Sequence, residues 1–227
     1  MKKFLPLLFI CIITITTGFC TDKSTQKANF PNYGVLQYFV PSQNVTSFNL
    51  KPSLYLSEKF LPGKIITCNK NIITPNGIRY NIAEDEIECQ INTQYSRISS
   101  PHKINEVEIN GNQYVYKKHI HKGDSVSGYL QMIHSGQKNL YVKYYLNEAK
   151  YPYSKCNIRN VFYVEKADGF PQKVRSLKAE ILSIYKNQAS YANSFMKKNN
   201  YHWNDSKALV LLVNYLEKRT ASSVASR

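Results

Sequence analysis

The stretch "ITPNGIRYNIAEDEIECQIN", Ile73 to Asn92, decides how this chain folds. Apolar residues alternate on both sides of an acidic centre, with Ile78, Tyr80 and Ile82 before it and Ile87, Cys89 and Ile91 after it. A period of two marks a strand with one buried face. Setting Ile82 opposite Ile87 places Tyr80 against Cys89 and Ile78 against Ile91, all six on one side. Arg79, Asn81, Glu88 and Gln90 then share the other side, and Ala83 to Glu86 become a four-residue loop built on a type I turn. A slip of one residue would bury the acids and expose the isoleucines, so the apolar pattern excludes it. Glu84, Asp85 and Glu86 therefore fall in a solvated loop, and Glu88 lies diagonal to Arg79 on the wet face. Nothing nearby supplies the converging His or Asn that a metal site needs. The acidic run reads as a turn, and Arg79, Asn81 and Glu88 read as residues that fix the hairpin.

Working outward, the same alternation continues in "GKIITCNKNII", "INEVEING", "NQYVYKKHIHKGD", "YLQMIHSGQKNLYVKYYL" and "NVFYVEKADGFPQKV". Each run is rich in Ile, Val and Tyr and ends on Asn-Gly, Lys-Gly-Asp, Ser-Gly or Asp-Gly, the spacing of antiparallel meanders. Seven to nine strands are expected between residues 54 and 175, in a sheet that curls into a small sandwich or open barrel. The period then changes. Leu177, Ile181, Ile184 and Tyr185 form one helical stripe behind Ser176 as N-cap, and Tyr191, Phe195 and Met196 form another. Asn204, Asp205 and Ser206 can cap a last helix ending near Lys218 and Arg219. The fold class is α+β, with a β domain over 54–175, helices over 176–219 and a frayed tail over 220–227.

The N-terminus is a separate matter. A short basic head precedes the apolar run Phe4 to Thr16, the layout of a secretory signal over residues 1–20. Cys20 stands where an exported bacterial lipoprotein carries its acylated cysteine, although Phe19 before it is larger than such sites prefer. Residues 21–53, polar and broken by Pro31, Gly34 and Pro41, read as a tether. No later stretch reaches the ~20 apolar residues that span a bilayer. An exported chain permits a disulfide, and Cys68 with Cys89 is the first pair to consider, against the alternative of free thiols in strands.

The formal charge of +15 falls to +13 without Lys2 and Lys3. It is uneven: residues 111–227 hold nineteen Lys and Arg against seven acids. Such a field favours anionic partners. Tyr and Lys interleave there, and Lys117, Lys118, His119, His121, Lys143 and Tyr144 are the candidate face for an anionic ligand. His119 and His121 could supply two metal ligands, but they stand among cations, and no metal is expected. No nucleophile elbow, phosphate-cradling loop or zincin motif occurs, so no catalytic residue and no cofactor are assigned.

The segments "YLSEKFLPGKI", "ITPNGIRYNIAEDEIECQIN" and "INEVEINGNQYVYKK" resemble a family of uncharacterised exported proteins of Bacteroidota. Its Y-L-x-x-x-F-x-P-G opening matches Tyr55, Leu56, Phe60, Pro62 and Gly63, and its R-Y-N segment matches Ile78, Arg79, Tyr80, Asn81, Ile82, Asp85, Ile87 and Glu88. The resemblance covers residues 54–217. It implies an envelope location, periplasmic or outer-membrane-associated, and a β-rich domain with C-terminal helices. It brings no activity. The expectation is a non-catalytic accessory or scaffold protein that contacts another envelope or outer-membrane protein. The alternative is a binding module for an anionic glycan, phospholipid headgroup or nucleic acid.

Overall fold

The structure, a computed structural model, describes residues 37–41, 54–147, 158–167 and 169–225. The signal segment, Cys20, most of the tether and Cys156 lie outside these. The described strands are β1 (Phe39–Pro41), β2 (Gly63–Thr67), β3 (Ile72–Ile73), β4 (Gly77–Asn81), β5 (Glu86–Ile91), β6 (Gln94–Ile98), β7 (Ile104–Ile109), β8 (Asn112–His121), β9 (Asp124–His134), β10 (Lys138–Leu146), β11 (Ile158–Lys166) and β12 (Gln172–Lys173). The helices are α1 (Leu177–Ile184), α2 (Ala189–Lys198) and α3 (Ser206–Ala225). Eleven of these strands fall within residues 54–175, more than expected from the sequence; the two-residue β3 and β12 are too short to show a period. The fold is α+β: a four-stranded sheet β1-β6-β5-β4, an eight-stranded sheet in which β8 to β12 close into a small barrel, and C-terminal helices. The closure is a parallel contact between Gln172 of β12 and Ile120 of β8.

The β4–β5 hairpin forms in a register two residues from the expected one. Ile78 pairs with Cys89, Arg79 with Glu88, Tyr80 with Ile87 and Asn81 with Glu86. Both registers put the same side chains on the same face, so alternation cannot choose between them. Local turn chemistry chooses. Asn81 Oδ1 accepts the Glu84 N–H at 3.2 Å, which starts the loop at Ile82, and Asp85 closes it in the left-handed region at φ 53°. The polar face is not wet either. Residues 54–61 run along the free edge of β4, with bridges Tyr55–Asn81 and Leu61–Ile78, and so cover an edge that would otherwise be open to pairing. Glu88 and Asn81 are buried beneath them. Arg79 lies between the rings of Tyr55 and Phe60, 3.8 and 4.3 Å from their centroids, and its Nε donates to Glu88 Oε2 at 2.8 Å.

The apolar face of the hairpin packs on the outside of the barrel, where Tyr80 meets Tyr114 and Tyr129. The helices close the same core through Leu177, Ile181, Met196, Leu209, Leu212 and Leu216. Burying each such side chain is worth roughly 2 kcal/mol, which outweighs a surface charge and fixes the inward stripes. Asp205 caps α3, accepting the Lys207 N–H at 2.9 Å. Helix α3 then continues through most of the stretch expected to fray, since nothing between Arg219 and Ala225 breaks it. Cys89 is buried in this core and Cys68 is exposed beyond β2; both are free thiols, so the pairing considered from sequence is absent.

A polar contact also ties the two sheets. The β9–β10 ladder runs from the Leu140–His134 pair to the Val142–Gln131 pair and stops, which leaves the Tyr129 backbone facing a gap. The hairpin loop fills it. Asp85 Oδ1 accepts the Tyr129 N–H at 3.2 Å and the Tyr80 hydroxyl at 2.7 Å, while Lys143 Nζ donates to Tyr129 O at 3.0 Å and lies 2.5 Å from Asp85. The expected solvated loop therefore holds one solvent-facing acid, Glu84. Asp85, Glu86 and Glu88 are paired with Lys143, Arg97 and Arg79.

Gly128→Ala is expected to cost about 2 kcal/mol or more in urea denaturation, because its Cβ would collide with the Asp85 carboxylate and Lys143 Nζ. Lys143→Met and Asp85→Asn should each destabilise by about 3 kcal/mol by stranding a charge. The double variant should lose at least 1 kcal/mol less than their sum, by rough expectation for contacting groups. Additive losses would mean that the two charges do not act as a pair.

Candidate functional site

Alternation along β8 to β11 sends one set of side chains into the barrel. Its apolar centre is Leu130, Tyr141, Val161 and Tyr163, with Val115, Met132 and Tyr145 against them. The remaining inward positions are polar, and they fall into two groups.

Towards one end, Glu165 accepts from Lys117 Nζ at 2.6 and 2.8 Å, from the Tyr141 hydroxyl at 2.6 Å and from Asn139 Nδ2 at 2.9 Å. Burial acts to raise the Glu165 pKa, but these hydrogen bonds and the Lys117 charge outweigh it and hold the carboxyl below its ordinary value. This arrangement holds a carboxylate in place across the barrel.

Towards the other end, the Tyr163 and Tyr145 hydroxyls lie 2.8 and 3.1 Å from His121 Nδ1 and 3.1 Å from each other. The His121 ring stacks on Tyr145 at 4.9 Å, and Arg159 lies 5.5 Å from the same tyrosine ring. Burial, then Lys122, Arg159 and Lys173, pull the His121 pKa below its ordinary value, and Asp124 opposes them. Burial raises the pKa of Tyr163, so that hydroxyl stays protonated at neutral pH. His119, between the two groups, is 1% exposed and meets Tyr163 edge-on; its Nε2 has no partner among the described residues.

The six residues proposed from sequence as an anionic-ligand face do not share a surface. Lys117 is ion-paired inside the barrel, Lys143 is buried against Asp85, and His119 is buried. Lys118 is exposed on the opposite side of β8. Tyr144 is buried on the barrel's outer side, where its hydroxyl donates to Gln131 Oε1 at 2.5 Å. His119 is buried because the sheet curls and takes the odd-numbered side chains of β8 inside. Of the six, only His121 lies in the cationic cluster at the barrel end, where Arg159 and Lys173 join it. The inward alternation of Tyr141, Lys143 and Tyr145 with Val161, Tyr163 and Glu165 was the signal for this set, but only closure shows which parity is inside.

Outside the barrel, α3 and β9 flank a cleft of 270 Å³ lined by Asn112, Met132, His134, Val210, Val213 and Glu217. At its edge the Tyr185 hydroxyl and Glu217 Oε1 lie 2.8 and 3.1 Å from His134 Nδ1. Among the described residues no three His, Cys, Asp or Glu side chains converge as metal ligands. No described helix is long and apolar enough to cross a membrane. No protein-family model, curated protein or solved structure matches the chain.

The lowered Glu165 pKa fixes the sign of one pH effect. Its stabilisation is complete above the ordinary glutamate range and is lost as pH falls through the lower folded-state value. The Tm gap between the unmodified protein and Glu165→Gln should be widest near neutrality and close in acid. A gap that stays constant from neutral to acid pH would remove this role.

Proposed function

We propose that this is an exported, non-catalytic cell-envelope protein, an accessory or scaffold subunit that works through protein–protein contact. The observation that supports this reading is an aromatic surface on α2 and α3. Arg219 lies 3.6 Å from the Tyr191 ring centroid, and Phe195 stacks on Tyr215 at 4.8 Å. Tyr191 and Leu211 are 43% and 49% exposed. Tyr191 and Phe195 share a stripe on α2, as Leu211, Tyr215 and Arg219 do on α3, four residues apart in each case.

Tyrosine and arginine dominate the energetics of protein interfaces, because both bring large contact area and a polar tip at modest entropy cost. Lys197, Lys198 and Lys207 on the same helices favour a partner with acidic residues around an apolar centre. The export signal and the resemblance to exported Bacteroidota proteins support a periplasmic or outer-membrane location. The second reading, an anionic ligand, draws support from a different place, the cations at one barrel end.

The test is a crosslinking pull-down of the native protein from its own membranes, read by quantitative mass spectrometry. A stoichiometric envelope partner should be recovered, and Tyr191→Ala and Arg219→Ala should each reduce its recovery by about tenfold, a typical hot-spot loss. Both side chains are at the surface, so the variants should keep the parent Tm. Recovery of the protein alone, or a partner indifferent to both changes, would sink the reading.

A further inference from the structure

We infer that the barrel end around His121 is a binding site for a compact tetrahedral oxyanion, a phosphate or sulfate group, held by Arg159, Lys173 and Lys122. This goes beyond the protein-contact reading and does not rest on it.

The geometry starts from the ladders. Arg159 stands opposite Tyr145, and Lys173 stands opposite Tyr163. Those two tyrosines are the ones that hold His121, so both cations flank the imidazole. Lys122 follows it directly, at the first position of the two-residue β8–β9 turn. Both turn residues have positive φ, 53° at Lys122 and 97° at Gly123. Asn, Asp or Gly normally takes that first position, so a lysine there is an uncommon choice.

The pairing pattern separates these cations from the two inward-facing lysines of the barrel. Lys117 and Lys143 each hold a carboxylate. Among the described residues Lys122, Arg159 and Lys173 hold none, and the acid at this end, Asp124, pairs with His121 only as its ladder neighbour. Three like charges around a half-buried imidazole repel one another unless an anion joins them.

The donors match such an anion. A guanidinium presents a planar fork to two oxygens of a phosphate or sulfate, and two ammonium groups add point charge. Where the Tyr163 hydroxyl donates to Nδ1, neutral His121 carries its proton on Nε2, which becomes a further donor. The groups facing His121 are His119 and Lys122 from its own strand and turn, Asp124 from β9, Tyr145 from β10, Arg159 and Tyr163 from β11, and Lys173 from β12. A dianion placed among them raises the imidazole's proton affinity, so binding of sulfate, which does not itself titrate in this range, strengthens as pH falls through the His121 titration.

The experiment follows the histidine ring signals of the full chain by NMR during titration with inorganic phosphate. Saturable binding is expected, with the His121 titration moved to higher pH in its presence. Arg159→Gln and Lys173→Gln should each weaken binding by about tenfold, the loss of one charged contact. Lys186→Gln, exposed between α1 and α2, should leave it unchanged. The two barrel variants should also raise the His121 titration without ligand, a readout that binding failure alone would not produce. Competition by a sulfated polysaccharide assigns the group to a glycan; competition by phosphatidylglycerol vesicles assigns it to a lipid headgroup. Absence of saturation, or equal weakening by Lys186→Gln, overturns the site.

Discussion

The structure depends on what happens where the ladder between β9 and β10 stops. There the Tyr129 N–H and C=O point into a gap, and a buried amide group without a partner costs roughly 1–3 kcal/mol. Asp85 takes the N–H and Lys143 takes the C=O, and the two charges neutralise each other at 2.5 Å. Burial pulls the Lys143 amine below the ordinary lysine value, and Asp85 offsets part of that pull. A buried ion pair of this kind adds little net stability, but it tolerates few geometries. Its effect here is to dock the tip of the β4–β5 hairpin at one place on the barrel. Gly128 supplies the room, since any side chain there would occupy the position of the carboxylate.

The remainder of the first sheet follows from that docking. With the hairpin tip fixed, Tyr80 meets Tyr114 and Tyr129, and Ile78, Ile87 and Cys89 are sealed against the barrel. The opposite face is closed by residues 54–61, whose Tyr55 and Phe60 enclose the Arg79 guanidinium while Glu88 neutralises it. Cation–π contact and a partly buried ion pair reinforce each other here, because each ring excludes the water that would weaken the other contact. Gly63 then lets the chain cross to the second sheet where the Glu108 carbonyl approaches too closely for a Cβ. The Y-L-x-x-x-F-x-P-G segment and the R-Y-N segment are thus two sides of one packed unit.

The barrel interior solves a different problem. Five strands enclose too little width for an apolar layer of ordinary depth, and the inward positions include Lys117, His119, His121, Lys143 and Glu165. Tyrosine reconciles the two demands, since its ring fills volume and its hydroxyl reaches a neighbour. Tyr141 serves Glu165 in this way, and Tyr145 and Tyr163 serve His121. Charge is cancelled at the Lys117 end and accumulates at the His121 end. That asymmetry distinguishes the two ends of the barrel.

Alternation and helical periodicity determined much of this protein from sequence alone. The α+β class, the hairpin centred on the acidic run, its buried face and the inward stripe of α1 follow from periods that hydrophobic burial enforces locally. The hairpin register did not follow, because two registers of equal parity bury the same side chains, and an Asn81 turn contact decides between them. Neither did the fates of Asp85, Glu88 and Lys143. In sequence they are exposed charges on a turn and on strands; Glu88 and Lys143 become buried, and Asp85 partly so, only because a distant segment packs against each. Closure of β12 on β8 was equally invisible, since a two-residue strand carries no period. That closure turns one face of β8 to β11 into an interior. It thereby buries His119 and Lys143, draws Lys117 into an ion pair with Glu165, and brings Arg159 and Lys173 together around His121. Local periodicity fixes which side chains share a face; only the packing of distant segments decides which face meets water.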